Sequence, residues 1–114
     1  MIASPYDQWY LDNTANSWEV MPTYDPSEGI SQSYVNAFLL GGEAVMFGEH
    51  IDENNIESVV FPRAAAVGER LWSPSSVKNT SDALSRLDHH GCRMVERGFR
   101  VGPLQPGFCE ATYV

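Results

Sequence analysis

The sequence has 114 residues, of which 43% are hydrophobic and 19% charged, so its composition fits one small globular domain rather than two domains or a disordered chain. Seven basic and fifteen acidic residues give a formal net charge of −8, and such a surface repels the phosphates of nucleic acids. No apolar run approaches the ~20 residues that span a bilayer, and the first five residues lack the basic start and apolar segment of a signal peptide, which taken literally favours the cytoplasm.

The first quarter of the chain predicts one strand end followed by a long loop. Residues 9–11 form the last part of a predicted strand. From Asn13 to Gly29, prolines, aspartates and glycine interrupt any regular element, and this pattern predicts a loop. The segment from Ser31 to Asn36 is ambiguous and admits a short helical turn.

A second strand is predicted from Ala37 to Phe47. Its apolar run without polar alternation is typical of a strand buried on both faces, as in parallel sheets. Because side chains alternate along a strand, Phe47 and Glu49 share one face. An aromatic ring two residues before a carboxylate suits sugar binding, since the ring stacks on a pyranose and the carboxylate accepts hydrogen bonds from its hydroxyls. The alternative for this segment is a core phenylalanine followed by a solvated glutamate.

Two helices are predicted in the second half of the chain. A proline suits the first turn of a helix, and one immediately precedes the first predicted helix, residues 63–72. A linker of turn residues follows, and Thr80 or Ser81 is placed to cap a second helix over 82–97, whose apolar residues recur at helical spacing. Gly98 suits the left-handed position that ends this helix. Strand, loop and helix in this order indicate a βα unit.

Five short motifs occur in one order along the chain. They are Trp9-Tyr10-Leu11-Asp12, Gly41-Gly42-Glu43-Ala44, Phe47-Gly48-Glu49, Pro62-Arg63-Ala64 and Glu69-Arg70-Leu71-Trp72-Ser73. Together they resemble the C-terminal part of a β-N-acetylhexosaminidase of glycoside hydrolase family 20, and the resemblance covers about Ser4 to about Glu110. The segment around Cys92 and Cys109 resembles the animal and protist lysosomal enzymes in particular. Each motif alone is weak, whereas five in order at matching intervals are specific.

The resemblance implies a fold and a location. The fold is α/β, and residues 1–114 would form the last two strands and the following helices of a (β/α)₈ TIM barrel. Such a barrel typically needs ~250 residues, so the chain is expected to be an incomplete domain and a fragment of a longer protein. The parent protein is expected to be lysosomal or secreted, and the resemblance leaves room for a dimer of that longer protein.

The resemblance also implies an activity. Enzymes of this family hydrolyse terminal non-reducing N-acetylhexosamine residues by substrate-assisted retaining catalysis, in which the acetamido oxygen attacks its own anomeric carbon while a glutamate protonates the leaving oxygen. That glutamate and its neighbouring aspartate lie on an earlier strand, so the chain alone is expected to be inactive. The expected partners are glycans or glycoconjugates that contain N-acetylhexosamine. No cofactor is implied, and the sequence does not distinguish glucosaminides from galactosaminides.

Four residues match the sugar-binding half of the family's site. Tyr10 matches the tyrosine that donates to the acetamido oxygen and stabilises the oxazolinium-like intermediate. Asp12 matches a position that contacts a sugar hydroxyl, O6 in our interpretation, and Glu49 matches the glutamate that accepts from O4. Phe47 departs from the tryptophan usual in the family, so it keeps a flat apolar face but loses area and the indole N–H.

The remaining charged residues are interpreted as structural. A buried carboxylate requires a partner, so a set of ion pairs is predicted among Glu43, Arg63, Glu69 and Arg70. The adjacent histidines at 89 and 90 would point ~100° apart on a helix and do not form the paired arrangement that zinc uses. No metal site is predicted.

The resemblance to the family's C-terminal cysteine pair implies a Cys92–Cys109 disulfide, which would close a loop and place the parent protein in an oxidising compartment. Asn79-Thr80-Ser81 is a glycosylation sequon in the turn-rich linker and agrees with that location. The alternative to an enzyme is a genuine short protein. It would be a non-enzymatic, disulfide-stapled module or a catalytically dead paralogue that only binds sugar.

Overall fold

The structure, a computed structural model, describes residues 1–15, 17–107 and 109. The chain is a mixed α/β structure with two short strands, four α-helices and one turn of 3₁₀-helix in these residues. In chain order they are β1 (Ile2–Ala3), the 3₁₀ turn (Trp18–Val20), α1 (Gln32–Phe38), β2 (Gly41–Gly42), α2 (Ile56–Val60), α3 (Arg63–Trp72) and α4 (Thr80–Glu96). No helix of the described part of the chain has both the length and the apolar character that crossing a membrane requires.

The two strands are parallel neighbours. Ile2 lies opposite Gly41 and Ala3 opposite Gly42. Further along, Tyr10 and Val45 form a single parallel bridge, in which the Val45 N–H donates to Trp9 and the Val45 carbonyl accepts from Leu11. The two segments therefore run side by side in one direction, and the residues that follow them emerge at the same edge.

The predicted second strand is wrong over its first residues. Ala37 and Phe38 belong to α1, because the Ser31 side chain accepts from the N–H of Tyr34 and starts a helix that continues through them. Regular strand pairing is confined to Gly41–Gly42. The expected burial on both faces is also wrong, since Leu40 is 83% exposed beside a sheet with only one partner strand in the described residues.

The hydrophobic core lies between the first motif and the two long helices. Its buried members are Trp9, Leu11, Met21, Ala66, Val67, Ala83 and Leu87. Trp9 is 1% exposed; its indole N–H donates to the carbonyl of Met21 at 3.1 Å, and the Tyr24 ring packs edge-on against it at 5.1 Å. The long loop between β1 and α1 is therefore anchored through Met21 and Tyr24 to the core.

The helices largely match the prediction. The residues of α3 are those predicted. Helix α4 begins at Thr80, two residues before the predicted start, because the side chain of Asn79 accepts from the N–H groups of Ser81 and Asp82. The cap is thus Asn79, not Thr80 or Ser81. Gly98 follows α4 with a φ of +93°, as the prediction of a left-handed terminus requires.

The predicted ion-pair set is wrong. The buried Arg70 donates to the backbone carbonyls of Pro22, Ser73, Pro74 and Val77. Arg63 donates likewise to the carbonyls of Leu11 and Asn13. Glu43 is exposed, and Glu69 pairs with Arg86 on the surface instead. Peptide carbonyls rather than carboxylates accept the hydrogen bonds of the two guanidinium groups, which attaches the long loop between β1 and α1 and the linker after α3 to helix α3.

The predicted Cys92–Cys109 disulfide is confirmed, with α-carbons 5.4 Å apart. Between the two cysteines the chain returns from α4 towards α2. The N–H of Arg100 donates to the Glu57 carboxylate at 2.7 Å, and that of Gly102 donates to the Phe61 carbonyl at 2.9 Å. The disulfide therefore ties down the segment that follows α4, of which Arg100 and Gly102 lie against the end of α2.

Replacement of Gly42 by alanine should strongly destabilise the chain. A β-carbon at this position would overlap the buried indole ring of Trp9 and lie 3.1 Å from the Ala3 carbonyl oxygen. We expect Gly42→Ala to lower the free energy of unfolding by about 1–3 kcal/mol, the usual cost of overpacking. Gly68→Ala is the matched control, because a β-carbon at that position in α3 meets only open space. Since alanine favours a helix more than glycine does, this variant should raise the free energy of unfolding by up to ~1 kcal/mol. Urea denaturation measures both, and equal effects would contradict the packing argument.

Replacement of Arg70 by lysine should be costly although it conserves charge. One ammonium group cannot reach the carbonyls that the planar guanidinium holds on both sides, so buried acceptors lose their donors. We expect Arg70→Lys to lower the free energy of unfolding by about 2–4 kcal/mol. Arg86→Lys, at the exposed pair with Glu69, should cost at most ~1 kcal/mol. Similar losses for the two variants in urea denaturation would show that carbonyl binding by Arg70 is unimportant.

Candidate functional site

The four predicted site residues come together at the edge where the two parallel segments end. Tyr10 and Asp12 follow β1, and Phe47 and Glu49 follow β2. The bridge between Tyr10 and Val45 sets their relative register. Each pair is therefore delivered to one surface by the direction of its own segment, as at the carboxyl ends of parallel strands. Phe47 and Glu49 are exposed, and Tyr10 and Asp12 are half-buried.

Tyr10 and Glu49 are joined directly. The Tyr10 hydroxyl donates a short hydrogen bond to the Glu49 carboxylate. This bond, with smaller contributions from partial desolvation and from the charge of Asp12, raises the pKa of Tyr10 well above its ordinary value. The phenol is therefore protonated at neutral pH and available as a hydrogen-bond donor at the surface.

Asp12 holds the backbone that carries the other two residues. Its carboxylate accepts from the N–H of Phe47 at 2.8 Å and from that of Gly48 at 3.0 Å. Partial desolvation acts to raise the pKa of Asp12, but the hydrogen bonds from the N–H groups of Gly48 and Phe47 oppose it, and the pKa lies below its ordinary value. Gly48 has a φ of +86°, a conformation that favours glycine, so this residue lets the chain turn while both N–H groups face Asp12.

This role of Asp12 was missed in the sequence. The motif predicts a carboxylate near the sugar, but not that two backbone N–H groups across the sheet edge bind it. The only signal was a glycine at position 48, directly between the aromatic residue and Glu49.

Phe47 presents its ring to solvent. Its side chain is 81% exposed, and its ring centroid lies 6.0 Å from that of Tyr10 with the planes inclined by 50°. An exposed flat apolar ring beside two carboxylates and a phenol is suited to stack on the apolar face of a sugar.

The only adjacent Asp-Glu pair in the sequence, at 52–53, belongs to a loop. Both residues are exposed. The Asp52 carboxylate accepts from the N–H of Asn54 at 2.8 Å, and this hydrogen bond lowers the pKa of Asp52. The pair is therefore part of a solvated loop rather than of the cluster around Tyr10. In the described part of the chain, no three histidine, cysteine, aspartate or glutamate side chains are grouped so that they could hold a metal ion.

Comparison with known proteins identifies the class. Residues 1–75 match the catalytic domain of glycosyl hydrolase family 20, and the chain belongs to that family. The predicted resemblance is thus confirmed.

The similar proteins are named as hexosaminidases. Beta-hexosaminidase 3 of Arabidopsis thaliana is 38% identical over 96% of this chain and 23% of its own length. Beta-hexosaminidase subunit beta of Homo sapiens is 41% identical over 89% of this chain and 18% of its own length. Beta-hexosaminidase subunit B2 of Dictyostelium discoideum is 41% identical over 90% of this chain and 18% of its own length. The chain spans about a fifth of the length of the curated relatives it matches.

Replacement of Asp12 by asparagine should destabilise the chain in a pH-dependent way. The pKa of Asp12 is lower in the folded chain than the value of about 3.9 expected after unfolding, so its ionised form stabilises the fold above pH ~4, and this contribution is lost as the pH falls through the folded pKa. Asp12→Asn should therefore lower the urea midpoint at pH 7, and the difference from wild type should shrink towards pH 3. A difference that stays constant over this range would contradict the charge-dependent role of Asp12.

Proposed function

We propose that this chain is the C-terminal part of the (β/α)₈ catalytic barrel of a β-N-acetylhexosaminidase and supplies the sugar-binding half of its −1 subsite. Membership of glycosyl hydrolase family 20 supports the reaction class. Two parallel segments followed by helices α2 and α3 fit consecutive βα units of such a barrel. In this proposal the parent enzyme removes terminal non-reducing N-acetylhexosamine residues from glycans or glycoconjugates.

The observation that carries the proposal is the contact between Tyr10 and Glu49, with Asp12 fixing the backbone beside it. A protonated phenol, two carboxylates and an exposed ring on one surface provide a donor, two acceptors and a stacking plane. A sugar with an acetamido group needs each of these, since it has hydroxyls that donate, a carbonyl oxygen that accepts and an apolar ring face.

The chemical step is substrate-assisted in this proposal. The acetamido oxygen attacks the anomeric carbon, the bond from that carbon to the leaving oxygen breaks, and a general acid outside these four residues protonates the leaving oxygen. Tyr10 donates to the acetamido oxygen and stabilises the oxazolinium-like intermediate. The general acid, now acting as a base, takes a proton from water, and the water oxygen bonds to the anomeric carbon on the side that the leaving oxygen left while the bond from that carbon to the acetamido oxygen breaks, so the configuration is retained.

Binding requires an exchange of partners at Tyr10 and Glu49. In the structure the Tyr10 hydroxyl donates to Glu49. When the sugar enters, its O4 hydroxyl takes over as donor to Glu49, and the phenol turns to the acetamido oxygen. Phe47 forms one wall of the subsite, and the oxygen lone pairs of Asp12 that do not face the backbone accept from O6.

The disulfide supports a location in which thiols are oxidised, so we propose a lysosomal or secreted parent protein. The rival candidate is a sugar-binding module without catalysis. The activity of a chimeric enzyme, described next, separates the two candidates.

The test is a chimera in which this chain replaces the matching segment of Beta-hexosaminidase subunit beta of Homo sapiens. We expect the folded chimera to hydrolyse an aryl N-acetylglucosaminide and the isolated chain to be inactive. Glu49→Gln should lower kcat/KM by about 10- to 100-fold, because a charged acceptor for a sugar hydroxyl is lost. Tyr10→Phe should mainly lower kcat, since its hydrogen bond strengthens as charge develops on the acetamide.

Matched controls are Glu53→Gln in the exposed loop and Tyr34→Phe on the exposed side of α1, which should leave both constants unchanged. An active chimera in which Glu49→Gln behaves like Glu53→Gln would refute the assignment of the site. A folded chimera that binds N-acetylglucosamine without turnover would favour the non-catalytic module, and appreciable turnover by the isolated chain would overturn the proposal of an incomplete site.

A further inference from the structure

Asn79 combines a modification sequence with a specific structural position. Asn79-Thr80-Ser81 is the only Asn-X-Ser/Thr sequence among the 114 residues. It lies where the linker after α3 meets the start of α4, and Asn79 and the five residues before it are exposed. The sequon is therefore on the surface.

The two polar atoms of the Asn79 side chain have different surroundings. One of them faces the backbone N–H groups of Ser81 and Asp82, at 3.0 Å and 3.2 Å. Because both neighbours are donors, the atom between them must be the carbonyl oxygen Oδ1. The amide nitrogen Nδ2 is the other atom, and none of the described residues accepts a hydrogen bond from it.

We propose that Asn79 is an N-glycosylation site, modified at Nδ2 by an oligosaccharide from a lipid diphosphate donor. The bond from the sugar C1 to the diphosphate oxygen breaks, a bond from C1 to Nδ2 forms, Nδ2 loses one proton, and the lipid diphosphate leaves. The product keeps Oδ1 as an acceptor, so the glycan and the helix cap occupy different atoms of one side chain. Modification is therefore compatible with the start of α4.

Two further observations agree with this site. Asn79 has an extended backbone, with φ −77° and ψ 107°, so it lies outside α4, whereas Thr80 and Ser81 are the first two residues of that helix. The Cys92–Cys109 disulfide is a bond of oxidising compartments such as the endoplasmic reticulum, where N-glycans are attached to secretory proteins. This inference rests on the proposed secretory location of the parent protein, but the cap, the exposed amide and the disulfide are independent of the proposed sugar-binding site.

The test is translation of the full chain behind a cleavable secretory leader in the presence of endoplasmic-reticulum microsomes. Only chains that are protected from added protease are examined, because these have entered the compartment of the transferase. We expect one mass increase, removed by a peptide N-glycosidase that leaves aspartate at position 79. Peptide mass mapping locates the change.

Two variants remove the sequon but keep the cap. Asn79→Asp retains a side-chain oxygen at the N-cap position, and Ser81→Ala leaves Asn79 itself in place. Both should lose the mass increase completely. Ile56→Thr creates a second sequon at the exposed Asn54 and checks that the transferase acts on this chain. Protected chains that carry a glycan at Asn54 but none at Asn79, or a glycan that persists in Ser81→Ala, would overturn the proposal.

Discussion

The fold depends on the burial of Trp9. Its ring packs over Gly42, where no side chain fits, its indole N–H binds the Met21 carbonyl, and its own carbonyl accepts from Val45. One residue thus fixes the two strands side by side, attaches the long loop to the core and sets the register of the bridge beyond it. Tyr10 follows immediately, so the position of the candidate site is a direct consequence of how the tryptophan is packed. The packing of Trp9 in the core therefore also fixes the position of its neighbour Tyr10 at the surface.

Among the described residues, charged and amide side chains bind backbone groups more often than they pair with one another. Arg70 and Arg63 bind carbonyls, Asp12 binds N–H groups, and Asn79 does the same at a helix terminus. In each case a side chain satisfies peptide groups that regular secondary structure leaves unpaired. A few polar side chains therefore hold the described loops in place. One of them, Asp12, fixes the backbone of the candidate site.

The sequence predicted those features that depend on local pattern or on many motifs together. The bounds of α3 follow from a proline at its start and a Ser-Pro pair at its end, and the family and the disulfide follow from motif order. The strand from Ala37 failed because apolar composition does not distinguish a helix from a strand, whereas the capping of α1 by Ser31 does. The partners of Arg70 and Asp12 could not be predicted, because the sequence gives the charges but not where distant carbonyl and N–H groups will lie. The contact of Tyr10 with Glu49 was foreseeable only once parallel strands were assumed.

The three tryptophans occupy very different surroundings, and this has a spectroscopic consequence. Trp9 is 1% exposed and Trp72 is 92% exposed, while Trp18 is half-buried in the 3₁₀ turn. The emission of the native chain should contain a blue-shifted component from Trp9 and a red-shifted one from Trp72. A water-soluble quencher such as iodide should quench the fluorescence of Trp72 and leave that of Trp9 largely unchanged. The unquenched fraction then reports on the burial of the one side chain that holds strands, loop and site in register.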